Sequence, residues 1–263
     1  MLRRIAMLIG GLVWLLAGCT GGGGDNSVAT PNTSPIQWDR SPTTVVFRAE
    51  IRGGQYENTF QARNEVPPCT IYGDNRVVWT IETAGATRQV LYDIVSDEQI
   101  QSFVNYLAIE ERIYEYTSGL DSALPSSTNP VAETLRLNVN GRDFYSDIFG
   151  GWNIEYYQRI ITACGLISIA PVLFEPDAGW LSAQAVPYAS DAPLVVWTPS
   201  AAGISFGELA PNNERRWVQG TLARQIWNVL LTAPANLRFD EGDAQYFVAL
   251  EVPGVTRDAP PAP

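Results

Sequence analysis

The apolar run from Ile5 to Leu16 does most to limit what this chain can fold into. It stands directly behind Arg3 and Arg4 and stops at the small residues Ala17 and Gly18 and at Cys19. The run is too short to cross a bilayer as a permanent helix, and a positive start, an apolar middle and a small-residue end are the parts of an export signal. The next segment can bury nothing. Thr20 through Pro35 is rich in glycine and polar residues and has no apolar periodicity, the composition of a flexible linker. The folding body is therefore expected to begin near residue 41, in a compartment that permits disulfides.

The tetrad Leu16-Ala17-Gly18-Cys19 resembles the lipobox of bacterial lipoproteins: an aliphatic residue, two small residues and the acceptor cysteine. The resemblance implies cleavage before Cys19, thioether diacylation of Cys19 and a location that is lipid-anchored and extracytoplasmic, at the cell membrane or in the outer envelope. On this reading residues 1–18 are the signal peptide and residues 19–40 are the lipidated cysteine with its tether. Several acyl chains on one residue exceed the marginal hold of a single chain. An ordinary secretory signal or an uncleaved anchor is the plainer alternative. Twin-arginine export is poorly matched, because Ile5-Ala6-Met7 does not continue the pattern.

About 245 residues remain after the signal, enough for one large domain or two small ones with a real core. The formal charge of −11 becomes −13 once Arg3 and Arg4 are lost. Such an acidic surface repels nucleic acid and anionic lipid, so neither is expected as a partner. All 17 basic residues are arginine, and histidine is absent as well. Without histidine there is no Ser-His or Cys-His dyad and no His-ligated metal site, and without lysine there is no Schiff base. No cofactor and no metal are expected. With Cys19 set aside, Cys69 and Cys164 form an even pair that is a disulfide candidate; two independent buried thiols are the equal alternative.

Along the body, Thr43 to Ile51 alternates as a strand and is ended by Gly53-Gly54. Thr70-Ile71-Tyr72, the turn Gly73-Asp74-Asn75, and Arg76 to Ile81 form a hairpin, and Gln89 to Ile94 is a further strand. Ser96 with Gln99 forms a capping box in front of a helix whose Ile100, Phe103, Val104 and Leu107 share one stripe. After a Pro/Ser-rich loop at 125–130, Leu135, Leu137 and Val139 alternate into Asn140-Gly141, the strongest short hairpin signal in the chain. Asn153 is placed to cap a second helix carrying Tyr157, Ile160, Ile161 and Cys164.

The segment Pro68 to Trp79, the Ser-Asp-Glu helix opening and the Asn-Gly hairpin together resemble a group of uncharacterised bacterial lipoproteins and secreted domains. That group shares a tyrosine-glycine-aspartate-glycine-arginine-valine hairpin. Asn75 stands where the group has glycine, and asparagine also tolerates positive φ. The resemblance covers roughly residues 43 to 170 and, more weakly, the pattern from Arg216-Trp217-Val218-Gln219-Gly220 to Val252; it supports the fold and the location, and implies no activity.

The C-terminal third continues in the same vocabulary. Leu194-Val195-Val196-Trp197 reads as a buried strand, Thr221 to Leu231 as a helix with Leu222, Ile226, Val229 and Leu230 inward, and Ala244 to Val252 as an alternating strand. The expected fold class is α+β: antiparallel sheets built from hairpins with a few packed amphipathic helices, an α+β domain at 41–170, a smaller α+β unit packed on it or continuous with it at 171–255, and a disordered tail at 256–263.

Candidate chemistry is sparse. Asp240-Glu241-Gly242-Asp243 lacks the spacing of a calcium loop and reads as a hairpin turn. Glu110-Glu111 with Asp93 could be offered as a carboxylate pair for glycosidase work, but sequence alone does not place two of them across a cleft, and the end of a helix makes Glu110-Glu111 more simply a wet surface. Trp79, Trp152, Trp197 and Trp217 could stack on a ligand, although core packing explains Trp79 and Trp197. Gly150-Gly151-Trp152 is the one aromatic in a turn-like context. Two function classes stay open: a non-catalytic envelope module that binds a small ligand or another envelope protein, and, as the alternative, a carboxylate-based polysaccharide hydrolase.

Overall fold

Hairpins build the N-terminal half. The computed structural model describes residues 35–83, 87–115, 130–149, 154–212 and 214–263, so Cys19, Gly150-Gly151-Trp152 and the Asn153 cap lie outside the described residues. Strands β1 (Val45–Arg52), β2 (Cys69–Tyr72), β3 (Arg76–Thr83) and β4 (Thr87–Ile94) are followed by helix α1 (Asp97–Asn105). Strands β5 (Ala132–Val139) and β6 (Arg142–Phe149), helix α2 (Ile154–Leu166) and the short β7 (Val172–Leu173) complete a sheet in the order β6-β5-β1-β2-β3-β4-β7. Its pairings are antiparallel throughout.

Local chemistry accounts for each turn. Asn140 and Gly141 both adopt positive φ, 55° and 69°, as a two-residue hairpin with a type I′ backbone requires. Asn75 takes φ 69° in the β2–β3 turn, the left-handed role expected of it. Gly73 is needed for a different reason: a Cβ there would sit 2.1 Å from the Asp39 carbonyl oxygen and 2.5 Å from that of Ser41, because the incoming chain crosses the turn. The polar residues of this hairpin are spent on structure. Asp74 pairs with Arg76 at 2.7 Å, and Asn75 Nδ2 donates to the Val95 carbonyl and to Asp97, which also receives a bidentate Arg40.

Helix α1 has the full capping box of Ser96 and Gln99, and Asp97 and Glu98 sit in its first turn where the helix dipole favours them. It ends in a wider π-type turn, Tyr106–Glu110, that carries Leu107 into the core. One face of the sheet packs on α1 and α2 through Phe47, Ile71, Leu135, Leu137, Phe103 and Ile160.

Strands β8 (Ala178–Val186), β9 (Leu194–Val196), β10 (Arg216–Gln219), β11 (Arg238–Asp240) and β12 (Gln245–Glu251) form a second sheet, ordered β10-β8-β12-β11-β9. Two short helices, α3 (Pro199–Ala202) and α4 (Phe206–Leu209), and the longer α5 (Thr221–Thr232) belong to this half. Helix α5 touches β4 of the first sheet and β8, β10 and β12 of the second. Its buried residues are Ala223, Ile226 and Trp227, and one core contains Tyr72, Val78 and Val90 from the first sheet together with Leu181 and Leu250 from the second and Phe206 from α4. Residues 35–263 therefore form one compact unit of α+β class rather than two separable ones, and β7 carries the first sheet slightly past residue 171.

Three expectations change. Leu194 to Val196 is an edge strand, with only β11 beside it and parallel to it, so Val196 is 81% exposed; the apolar run alone cannot tell an edge from a centre. Strand β12 is buried on both faces, including Gln245 and Glu251, because it lies between β8 and β11. The tail at 256–263 is held in place: Val255, Thr256 and Arg257 are buried, the Arg257 amide donates to the Glu65 carbonyl at 2.8 Å, and Trp180 Nε1 donates to the Pro261 carbonyl at 2.9 Å. Proline content hid these anchors.

Candidate functional site

Helix α2 lies across the first sheet without covering all of it. Near Gly165 the two come very close, so that a Cβ at that position would lie 3.1 Å from the Trp79 indole. Cys69 on β2 and Cys164 on α2 meet here as a disulfide, with Cα atoms 6.4 Å apart, and both are fully buried. Cys69 is the cross-strand neighbour of Trp79. One covalent bond and one close helix–indole contact thus set how far α2 stands from the sheet.

Beyond that contact a groove of about 760 Å³ opens between the helix and the sheet, a size within the range of small-ligand sites. Ile51, Trp79 and Ile81 line it from the strands, and Tyr157, Ile161 and Leu166 from the helix. Ile51 is 47%, Ile81 37% and Leu166 75% exposed, an apolar surface that water solvates at a cost. Tyr157 is only 3% exposed, and its hydroxyl has no hydrogen-bond partner among the described residues. Burial, aided by the charges of Glu133 and Glu50, pushes this phenol well above its ordinary pKa, so it stays neutral. Glu133, at the same groove, has its carboxyl raised by burial.

Glu82 also lines this groove, which brings two carboxylates beside a tryptophan. Glu133 is on β5 and Glu82 on β3, with β1 and β2 between them. Three strand spacings put their backbones roughly 14 Å apart.

The other candidates are consumed elsewhere. Glu111 is buried, not wet as expected: its carboxylate accepts both prongs of Arg159 at 2.6 Å and the Tyr106 hydroxyl, and the Arg159 bond holds its pKa below the usual range. Glu110 is exposed. Asp93 accepts from the Ser168 hydroxyl at 2.6 Å and from the Ile94 amide, tying β4 to the loop after α2. The turn at Asp240 to Asp243 is a hairpin turn between β11 and β12, where Glu241 reaches across to accept from Ser205 and from the Phe206 and Gly207 amides at the start of α4. No group of three or more metal-ligating side chains occurs among the described residues.

Trp79 is a groove wall as well as a core residue. Trp197 packs against Phe206 and Phe239, and Trp217 pairs edge-on with Trp180 at 5.1 Å. Sequence reasoning placed Tyr157 correctly on the inner stripe of α2 but not the solitude of its hydroxyl, and it passed over Glu133. A polar tip on a core stripe and an acid in an alternating strand were the signals present. No protein-family model, curated protein or solved structure matches the chain.

Proposed function

We propose that the protein is a lipid-anchored, extracytoplasmic binding module without catalytic chemistry, and that the groove beside α2 receives its ligand. The observation that carries this reading is the Tyr157 hydroxyl, buried and unpartnered at a groove whose walls include Ile51, Ile81, Ile161 and Leu166. An unsatisfied buried hydroxyl costs on the order of 1–3 kcal/mol, a penalty that a ligand offering one complementary hydrogen bond removes. The ligand class is an amphipathic small molecule, with an apolar body against Ile51, Ile81 and Leu166 and one polar group at Tyr157. The lipobox-like tetrad ending at Cys19 supports the anchor, and among the described residues no helix is long and apolar enough to cross a membrane.

Displacement of the fluorescent probe 1-anilinonaphthalene-8-sulfonate by medium-chain alcohols and fatty acids tests the site. The wild-type chain is expected to bind the probe, and Leu166→Asp, at an exposed position, to abolish binding without loss of folding. Tyr157→Phe is expected to keep probe binding and to weaken the polar-headed competitors by about tenfold, the equivalent of one hydrogen bond. Probe binding untouched by Leu166→Asp refutes the groove. Acyl labelling tests the anchor: Cys19→Ser is expected to lose it and to accumulate as precursor, and unchanged labelling rejects the location. Turnover of a polysaccharide that vanishes on replacing Glu133 or Glu82 in a folded variant would return the hydrolase reading.

A further inference from the structure

We infer that the opposite face of the first sheet carries a second site, which takes a neutral saccharide. The cleft measures about 510 Å³ and is lined by Arg48, Glu50 and Arg52 of β1, Arg136 of β5, and Asp143 and Tyr145 of β6. Register puts Arg48, Arg136 and Tyr145 in one cross-strand row, since Arg48 pairs with Arg136 and Arg136 with Tyr145. Two arginines directly opposite repel unless compensated.

Most of the charge is already matched. Asp143 holds Arg136 with two bonds of 2.9 and 2.7 Å, and Arg52 meets Glu50 at 3.1 Å and also pairs with Glu57 and Asp258. What remains is one donor and one acceptor. Arg48 makes two long contacts, 3.3 Å to the Tyr72 hydroxyl and 3.5 Å to the Arg257 carbonyl, while its Nε is buried without a partner. Glu50 is 7% exposed, and its Oε2 is likewise buried and unpartnered. Both residues are on β1, two positions apart, and so share a face.

The free valences decide the ligand. An anion would answer Arg48 but face the bare oxygen of Glu50, and a cation would do the reverse. A hydroxyl answers both, because it accepts from one group while donating to the other. Tyr145, 50% exposed at the end of the same row, offers a ring on which the apolar face of a pyranose can rest. The Arg136–Asp143 pair at the rim presents further donors and acceptors to neighbouring hydroxyls. This site does not depend on the α2 groove, and each can fail without the other.

Titration calorimetry and saturation-transfer NMR on the full-length chain with maltotriose, cellotriose, mannotriose and chitotriose test the inference. At least one of these neutral sugars is expected to bind, with saturation passing from the Tyr145 ring. Tyr145→Ala, at an exposed position, is expected to weaken it by about tenfold through the lost ring contact, and Arg48→Lys, which keeps the charge but removes the Nε donor, by about tenfold or more, the value of one to two hydrogen bonds. Leu166→Asp is expected to leave sugar binding unchanged. No binding by any of the four sugars, binding that survives Tyr145→Ala, or a preference for trigalacturonate or glycine over the neutral sugars overturns the proposal. A crystal soaked in the best binder that shows a lone water between Arg48 Nε and Glu50 Oε2 overturns it as well.

Discussion

Single residues carry this fold where two chain segments meet at van der Waals distance. Gly73 is the sharpest case, because both atoms that a side chain would strike are backbone carbonyl oxygens. Gly73→Ala is expected to destabilise the protein by more than about 3 kcal/mol or to prevent folding, read as the midpoint of urea unfolding. Asp97 beside it titrates unusually low. The bonds from Arg40 first, then from Asn75, bring its pKa from 3.8 to about 2. A carboxyl depressed in the folded state contributes stability that is present above its unfolded value and lost as pH falls through the folded one. The loss therefore falls between about pH 4 and pH 2. The Asp97 side chain is 40% exposed, so solvent screening holds the contribution to tenths of a kcal/mol or little more. Asp97→Asn is expected to flatten the pH dependence of stability in that window, measured by chemical denaturation at each pH, and an unchanged slope would count against the Arg40 pairing.

At the scale of elements, the disulfide and the helix caps decide how α1 and α2 sit on the first sheet. Cys69 and Cys164 are 95 residues apart, and the chain-entropy model assigns a loop of that length on the order of 4 kcal/mol. Reduction is expected to lower stability by about that amount and to loosen the α2 groove, so thermal unfolding with and without dithiothreitol should differ, and the affinity of the groove for its probe should fall with it. Much of this level was legible in advance. Ser96 and Gln99, Asn140-Gly141 and the alternation in β5 are local devices whose partners lie within a few residues, and each is present in the structure. Strand β8 escaped notice because Ala178 to Val186 mixes small and polar residues, and it is its position between β10 and β12 that makes it central.

On the scale of the whole molecule, the two sheets are held together by α5 and by the C-terminal segment. Arg257 Nη1 donates to the Ile51 carbonyl at 2.6 Å, the Val252 amide donates to the Thr256 hydroxyl at 2.9 Å, and Val255 is buried in the core that the two sheets share. Deleting residues 253–263 is expected to cost several kcal/mol, since it removes buried Val255 and Thr256 and the two Arg257 hydrogen bonds to the Ile51 and Glu65 carbonyls. The melting temperature of the truncated chain checks this, and a chain as stable as the full one would show the tail to be dispensable. The truncation also strips Arg257 and Asp258 from the edge of the β1 cleft, so weaker saccharide binding should accompany it.

By itself the amino-acid sequence determined the α+β class, the hairpin turns, the stripes of α1 and α2, and the exclusion of histidine and lysine chemistry. These arise from interactions a few residues long and from composition. It could pose Cys69 with Cys164 as a pair, but their approach to 6.4 Å was decided by how α2 lies on β2. Whether a polar atom is satisfied is equally a tertiary matter. Glu111 found Arg159 from 48 residues away, whereas the Tyr157 hydroxyl, Arg48 Nε and Glu50 Oε2 found no partner among the described residues. Hydrogen-bond satisfaction depends on neighbours brought from distant parts of the chain, which no local pattern encodes. The atoms left wanting became visible only once the sheets and helices had closed around them.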